Sequence, residues 1–127
     1  MNESFRKNSA SSEDYLELIY ELSLQNKDFK AVEISKKLNI SRASVSEALK
    51  KLSDKGYITY EKYKQVKLTE KGLEIALNTL AKHKVLYSFF NDFLKLSPED
   101  SDVNACRIEH VITDTAFQKI KNLTENL

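Results

Sequence analysis

The sequence predicts a mainly α protein, an N-terminal winged helix-turn-helix followed by a helical dimerisation domain. Three observations carry that reading. Of 127 residues only 2 are Gly and 1 is Pro, while 31% are charged, a composition that favours helix over sheet. Between Val32 and Gly56 the apolar residues mark two short helices joined by a tight turn, and a β-rich stretch comes directly after. From Thr69 a helical period then runs for about 25 residues, roughly 38 Å, longer than a domain of this size needs for its own core.

Taken in order, residues 1–11 are polar and are expected to be disordered. Tyr15, Leu18, Ile19 and Leu22 recur at helical spacing behind Ser12 as N-cap, which predicts an amphipathic helix over 13–25. In KAVEISKKLNISRASVSEALKKLSDKGYI, Val32, Ile34, Leu38 and Ile40 give a short helix and a turn. Ser41 caps a second helix, whose Val45, Leu49 and Leu52 form an apolar stripe that ends at Gly56. Opposite that stripe Arg42, Ala43, Ser46, Glu47 and Lys50 are left to face outward, as a recognition helix requires. Tyr57–Tyr60 and Val66–Leu68 read as the two strands of a wing, with Lys62, Tyr63 and Lys64 at its polar tip.

The long helix carries Leu73, Leu77, Leu80, Tyr87, Phe90 and Leu94 on one side and Val85, Leu86, Phe89 and Phe93 on the other. Its second half is therefore apolar nearly all round, and in so short a chain a partner subunit supplies such burial most readily. Ser97 restarts a helix with Pro98 at its first position and acids in its first turn, reaching about Val111. Thr113 caps a last helix with Ala116, Phe117, Ile120 and Leu123. The expected division is residues 1–72 for the winged helix and 73–127 for the dimerisation domain.

Charge is unevenly spread. Residues 27–72 hold 12 basic and 6 acidic side chains, against 2 and 5 in residues 1–26 and 6 and 8 in residues 73–127. A basic middle third is the footprint of a surface that meets phosphate, and a solvated lysine-rich face looks the same. There is no apolar run long enough to span a membrane and no apolar segment of the signal-peptide kind in MNESFRKNSASSEDY, so a cytoplasmic protein is expected. No Gly-rich phosphate loop, H-E-x-x-H motif or nucleophile elbow occurs, and an enzyme is not expected.

The segment NACRIEHVI places Cys106, Glu109 and His110 at i, i+3 and i+4, on one face of the helix expected over 98–111. A transition metal accepts all three donor types. The single cysteine is equally a buried small residue or a reactive thiol. His83 on the long helix and Asp14 and Glu17 on the first helix are further donors. A core histidine with one hydrogen bond and acids at a helix N-terminus account for these residues as well.

SEDYLELIYEL, ISKKLNISRASVSEALKKLSDKGYITYEKYKQVKLTEKG, AKHKVLYSFF and ACRIEHVITD, in this order, resemble the diphtheria toxin repressor and manganese transport regulator family of metal-dependent transcriptional repressors. The resemblance covers residues 12–123. It implies a homodimer that binds a palindromic operator in double-stranded DNA and represses metal-uptake genes, without the SH3-like third domain of longer members. The family's metal-site positions match Asp14, Glu17, His83, Cys106, Glu109 and His110, drawn from both domains. Candidates for DNA contact are Arg42, Ser44, Ser46, Glu47, Lys50, Lys62, Tyr63 and Lys64.

Iron-type members with this cysteine usually have methionine at the position of Asp14, and manganese-type members usually have glutamate at the position of Cys106. Iron-type members also carry a carboxylate at the position of Tyr87, a lost ligand that Asp102, one turn before Cys106, is placed to replace. If Asp14, Glu17, Glu109 and Cys106 are all ionised they total −4 against +2 for one ion, so either two ions bind per subunit or some donors stay outside the shell. The thiolate favours Fe2+, cobalt, nickel or zinc, and the oxygen and imidazole donors keep Mn2+ close behind Fe2+. Oxidation of Cys106 or a small organic ligand is the alternative effector.

Overall fold

The structure is a computed structural model that describes residues 10–26, 28–61 and 65–126. Residues 11–77 form one compact unit and residues 78–127 belong to a second. The first unit holds helices α1 (Ala10–Gln25), α2 (Ala31–Leu38) and α3 (Arg42–Asp54), strands β1 (Ile58–Tyr60) and β2 (Val66–Leu68), and the start of α4 (Glu70–Ser88). α1 begins at Ala10, so Ser12 lies inside the helix and does not cap it, and Ala10 and Ser11 are helical, contrary to expectation. Nothing between Ala10 and Glu13 breaks a helix, and alanine is the best helix former.

One hydrophobic core joins these elements. Leu16 and Ile19 of α1, Ile34 of α2, Val45, Leu49 and Leu52 of α3, Ile58, Val66 and Ala76 meet around a fully buried Phe29. Leu38 and Ile40 are 42% and 37% exposed, so of the apolar residues expected in this short helix and turn only Ile34 is fully buried. The turn between α2 and α3 is closed by polar groups instead. Asn39 takes a left-handed φ of 54°, a conformation that asparagine tolerates. Ser35 Oγ donates to the carbonyl of Ile40 at 2.6 Å. Ser41 then caps α3, its Oγ accepting from the Ser44 amide at 3.1 Å, a contact worth about 1 kcal/mol.

The wing is the expected two-stranded antiparallel pair, with Ile58 opposite Leu68 and Tyr60 opposite Val66. Residues 62–64, the expected tip, lie outside the described residues. The link between α1 and α2 also touches the wing. Lys30 bridges to Gln65, and Gln65 Nε2 donates to Asp28 Oδ1 at 3.0 Å.

The second unit begins at Asn78, within α4. Past Ser88 the helix widens into a π-helical turn, Phe89–Phe93, whose stacked Phe89 and Phe93 rings lie 5.4 Å apart. Lys95, at φ 62°, ends it. α5 (Pro98–Ile108) and α6 (Asp114–Glu125) both pack against this turn, capped by Ser97 and Thr113 as the sequence predicts. Leu86 and Ala105 are the buried hydrophobic residues of this unit among the described residues, while Phe93, Leu94, Val103 and Leu123 are 43–49% exposed.

Gly56 and Gly72 serve the junction between wing and α4. Gly56 turns the chain out of α3 at φ +81°, and Thr69 Oγ1 donates to its carbonyl at 2.7 Å while accepting from the Gly72 amide at 3.2 Å. A Cβ on Gly72 would stand 1.9 Å from the backbone oxygen of Tyr57. An alanine there gains about 1 kcal/mol of helix propensity, but backbone overlap has no side-chain escape and overpacking costs about 1–3 kcal/mol. A backbone overlap of 1.9 Å belongs at the upper end of that cost, so we expect Gly72→Ala to lower unfolding stability by about 2 kcal/mol in urea titration, and an unchanged or raised midpoint would show that α4 does not need this close approach.

Candidate metal centre and nucleic-acid interface

In the second unit α4 presents His83 and α5 presents Asp102 and Cys106, four residues and one turn apart on one face. Ser101 and Ala105, the neighbouring positions, are fully buried and fix which side of α5 turns inward. Asp102 and Cys106 are therefore left exposed. α5 ends at Ile108 with Glu109 as its C-cap, still helical at φ −58° and ψ −28° with its amide on the Ala105 carbonyl, so Glu109 keeps the register of Ser101 and Ala105. The amides of Val111 and Ile112 both bond back to the Ile108 carbonyl, tightening the chain into a turn before Thr113.

Helical register with the buried Ser101 and Ala105 aims the Glu109 carboxylate inward, where its side chain is 3% exposed. Its Oε2 lies 3.1 Å from His83 Nδ1 and its Oε1 lies 3.3 Å from His110 Nε2. The other ring nitrogen of His83, Nε2, is 3.0 Å from Asp102 Oδ1, and Cys106 Sγ is 3.7 Å from Nδ1. A neutral imidazole can donate to only one of two flanking carboxylates. The second carboxylate is left facing an acceptor unless the ring is protonated or a cation takes the place of that proton.

His83, Asp102 and Cys106 offer donor atoms that all lie within 4.8 Å of one another. Donors that share an ion at 2.0–2.3 Å stand about 3–4.5 Å apart, so the group fits a transition metal with small side-chain shifts. The second unit thus brings together four of the expected ligand positions, His83, Cys106, Glu109 and His110. Asp102, which the sequence marks only by its spacing from Cys106, stands as near to His83 as any of them.

Asp14 and Glu17 lie one turn apart on α1 in the first unit, Asp14 exposed and Glu17 half-buried. Between them burial pushes the Tyr15 phenol up, so it remains uncharged at neutral pH. Leu16 and Ile19, on the same helix, are fully buried in the core shared with α2 and α3.

On α3, Arg42, Ser44, Glu47 and Lys50 are exposed as expected of a recognition helix. Two serines have other duties. Ser44 sits in the cap, its Oγ accepting from Ser41 Oγ at 2.9 Å, and Ser46 is half-buried with its Oγ 3.4 Å from the Tyr60 hydroxyl of the wing. Tyr60, read from the sequence only as a strand residue, thus adds a polar contact between the wing and the recognition helix. Among the described residues, no helix is long and apolar enough to cross a membrane.

This arrangement has known counterparts. The iron dependent repressor N-terminal DNA binding domain matches residues 7–66, and the iron dependent repressor metal binding and dimerisation domain matches residues 69–127. The chain is 40% identical over 118 residues to the uncharacterized HTH-type transcriptional regulator MJ0568 of Methanocaldococcus jannaschii, covering 92% of this chain and 94% of that protein. It is 30% identical over 115 residues to the HTH-type transcriptional regulator MntR of Geobacillus kaustophilus, covering 91% and 81%. The solved structure of the manganese regulator SloR aligns with a TM-score of 0.77 at 28% identity, over 91% of this chain and 54% of that one, so the chain spans about half the length of that protein. The chain therefore belongs to the iron dependent repressor family, as a winged-helix, metal-dependent DNA-binding transcriptional regulator with a metal-binding and dimerisation domain.

Proposed function

We propose that the chain acts as a homodimeric repressor of metal-uptake genes, in which Asp14 and Glu17 share a divalent metal with donors of the C-terminal half and so favour binding to a palindromic operator. The observation that carries this reading is the seating of α1. Leu16 and Ile19 are fully buried in the core that also holds α3, so a constraint on the Asp14 and Glu17 carboxylates is a constraint on the recognition helix. His83, Cys106, Glu109 and His110 are the partners supplied by the second half. Bound there, a divalent cation contributes positive charge that offsets the mutual repulsion of these anionic groups. Fe2+ or Mn2+ suits the donors, one or two ions per subunit.

The apolar surface of the second unit supports a homodimer. Among the described residues two buried hydrophobic ones make a poor core for some 50 residues, and Phe93, Leu94, Val103 and Leu123 remain nearly half exposed. Cytoplasmic residence follows from DNA as the partner. Double-stranded DNA is met by Arg42, Glu47 and Lys50 in the major groove, with Ser44 and Ser46 acting near the backbone and Lys62, Tyr63 and Lys64 at the wing tip.

Operator binding should be metal-dependent. If metal raises the competent fraction from about 1% to nearly all, apparent affinity rises about 100-fold, or roughly 2.7 kcal/mol. Fluorescence anisotropy with Fe2+ under anaerobic conditions, or with Mn2+, should show that gain for the wild type and lose it in Asp14→Asn/Glu17→Gln, with metal-free binding unchanged. Equal affinity with and without metal would sink the mechanism and point to oxidation of Cys106 or an organic effector.

Arg42→Ala and Lys50→Ala should each weaken binding and lower the slope of log affinity on log salt by about 1 if they meet phosphate. A slope identical to wild type in both would remove them from the interface. Replacing Phe93 or Leu94 by Lys should weaken the dimer at least tenfold in sedimentation equilibrium while far-UV circular dichroism stays the same. A dimer indifferent to both changes would place the interface elsewhere.

A further inference from the structure

We propose that Asp28 and Ser46 are positioning residues for DNA binding, which hold the two ends of the wing tip at a set angle to the recognition helix by pairing with Gln65 and Tyr60. This rests on the reading of the wing as a DNA contact and on nothing in the metal site. The two partners bracket the tip. Tyr60 is the last residue of β1 and Gln65 directly precedes β2, with Lys62, Tyr63 and Lys64 between them in the sequence. A ribbon of two strands with three residues each is marginal without support from the rest of the head. Ile58 and Val66 anchor it in the core, but apolar burial is non-directional and leaves the angle of the ribbon to polar contacts.

On the β2 side, Gln65 Nε2 donates to Asp28 Oδ1 at 3.0 Å. Asp28 is itself firmly placed. Its amide donates to Asn26 Oδ1 at 3.1 Å, closing an Asx turn, and the next residue, Phe29, is fully buried. The backbones join as well, Lys30 bridging to Gln65 and the Val66 amide donating to the Phe29 carbonyl at 3.4 Å. On the β1 side, the Tyr60 hydroxyl stands 3.4 Å from Ser46 Oγ, and Ser46 follows the buried Val45 on α3. One tether therefore runs to the recognition helix and the other to the link between α1 and α2. Displacing either end of the tip breaks one of these pairs.

Asp28 is exposed, so water competes for both partners of its hydrogen bond and the pair adds little to the stability of the fold. Its effect is on geometry, since lysines at the tip meet phosphate only when the ribbon stands at the right angle. A carboxylate beside a phosphate-binding ribbon also opposes DNA electrostatically. Removing the charge alone should strengthen binding, whereas removing the hydrogen bond should weaken it, and the opposed signs separate the two roles.

Asparagine at position 28 keeps the accepting oxygen without the charge, and alanine removes both. In fluorescence anisotropy of the full chain in excess Mn2+, on a labelled duplex of mixed sequence, Asp28→Asn should bind at least as tightly as wild type. Asp28→Ala should bind about threefold more weakly than Asp28→Asn, and Tyr60→Phe about threefold more weakly than wild type, all with the urea midpoint of wild type. Lys62→Ala/Lys64→Ala should lower the slope of log affinity on log salt by about 2 in the wild type, and by about 1 or less in an Asp28→Ala/Tyr60→Phe background. Equal binding by Asp28→Ala and Asp28→Asn, or the same lysine effect in both backgrounds, would overturn the proposal while leaving the wing as a DNA contact. A wild-type slope indifferent to the two lysines would overturn that reading of the wing, and the tethers with it.

Discussion

A buried carboxylate sets the terms for the C-terminal half of this protein. The Glu109 side chain is 3% exposed, and an ionised carboxylate removed from water costs several kcal/mol unless its oxygens find charged or strongly donating partners. Both oxygens are met by imidazoles, His83 on one side and His110 on the other. Each imidazole is thereby committed to present a particular nitrogen elsewhere. The end of α5, the turn at residues 109–112 and the middle of α4 are thus tied by one group that meets both histidines. This unit has little apolar interior among the described residues, so polar pairing carries an unusual share of its specification.

The N-terminal half obeys the opposite rule. Its core is apolar and continuous from α1 through the helix-turn-helix to the wing, and interiors packed to that density move as bodies. Asp14 and Glu17 ride on α1 at the rim of that body, with Leu16 and Ile19 as their anchors. A charge event at the two carboxylates therefore needs no chain of side-chain rearrangements to reach α3. Rigid seating is enough, and it makes α1 the natural place for the half that binds DNA to respond to a ligand.

Much of this was legible in the sequence because it rested on local rules. Ser41, Ser97 and Thr113 cap helices where their hydroxyls precede an apolar period, and the spacing of Val45, Leu49 and Leu52 orients α3 without reference to anything distant. What escaped was set by contacts between elements. Helical spacing puts Cys106, Glu109 and His110 on one face, and Cys106 and Glu109 do both reach His83 Nδ1, but spacing alone does not say that the Glu109 carboxylate is buried between two imidazoles. The nearness of Asp102 to His83 depends on how α4 and α5 pack, which no spacing within α5 reveals. Nor does strand periodicity announce that Tyr60 reaches back to Ser46. Spacing identified the donors, and packing decided which of them face one another.

The same division bears on how DNA is read. Ser44 is engaged by the cap of α3 and Ser46 faces Tyr60, while Arg42, Ala43, Glu47, Lys50 and Lys51 are exposed on this stretch of helix. A single basic head of this kind would meet DNA largely through phosphate, an attraction that is weak and blind to sequence at physiological salt. Joining two such heads makes the second contact intramolecular, and affinity then depends on whether their separation matches two half-sites about one helical turn apart. A regulator built this way gains more from fixing geometry than from adding contacts. That is the form of control that the metal response proposed above would exert without touching the recognition helix.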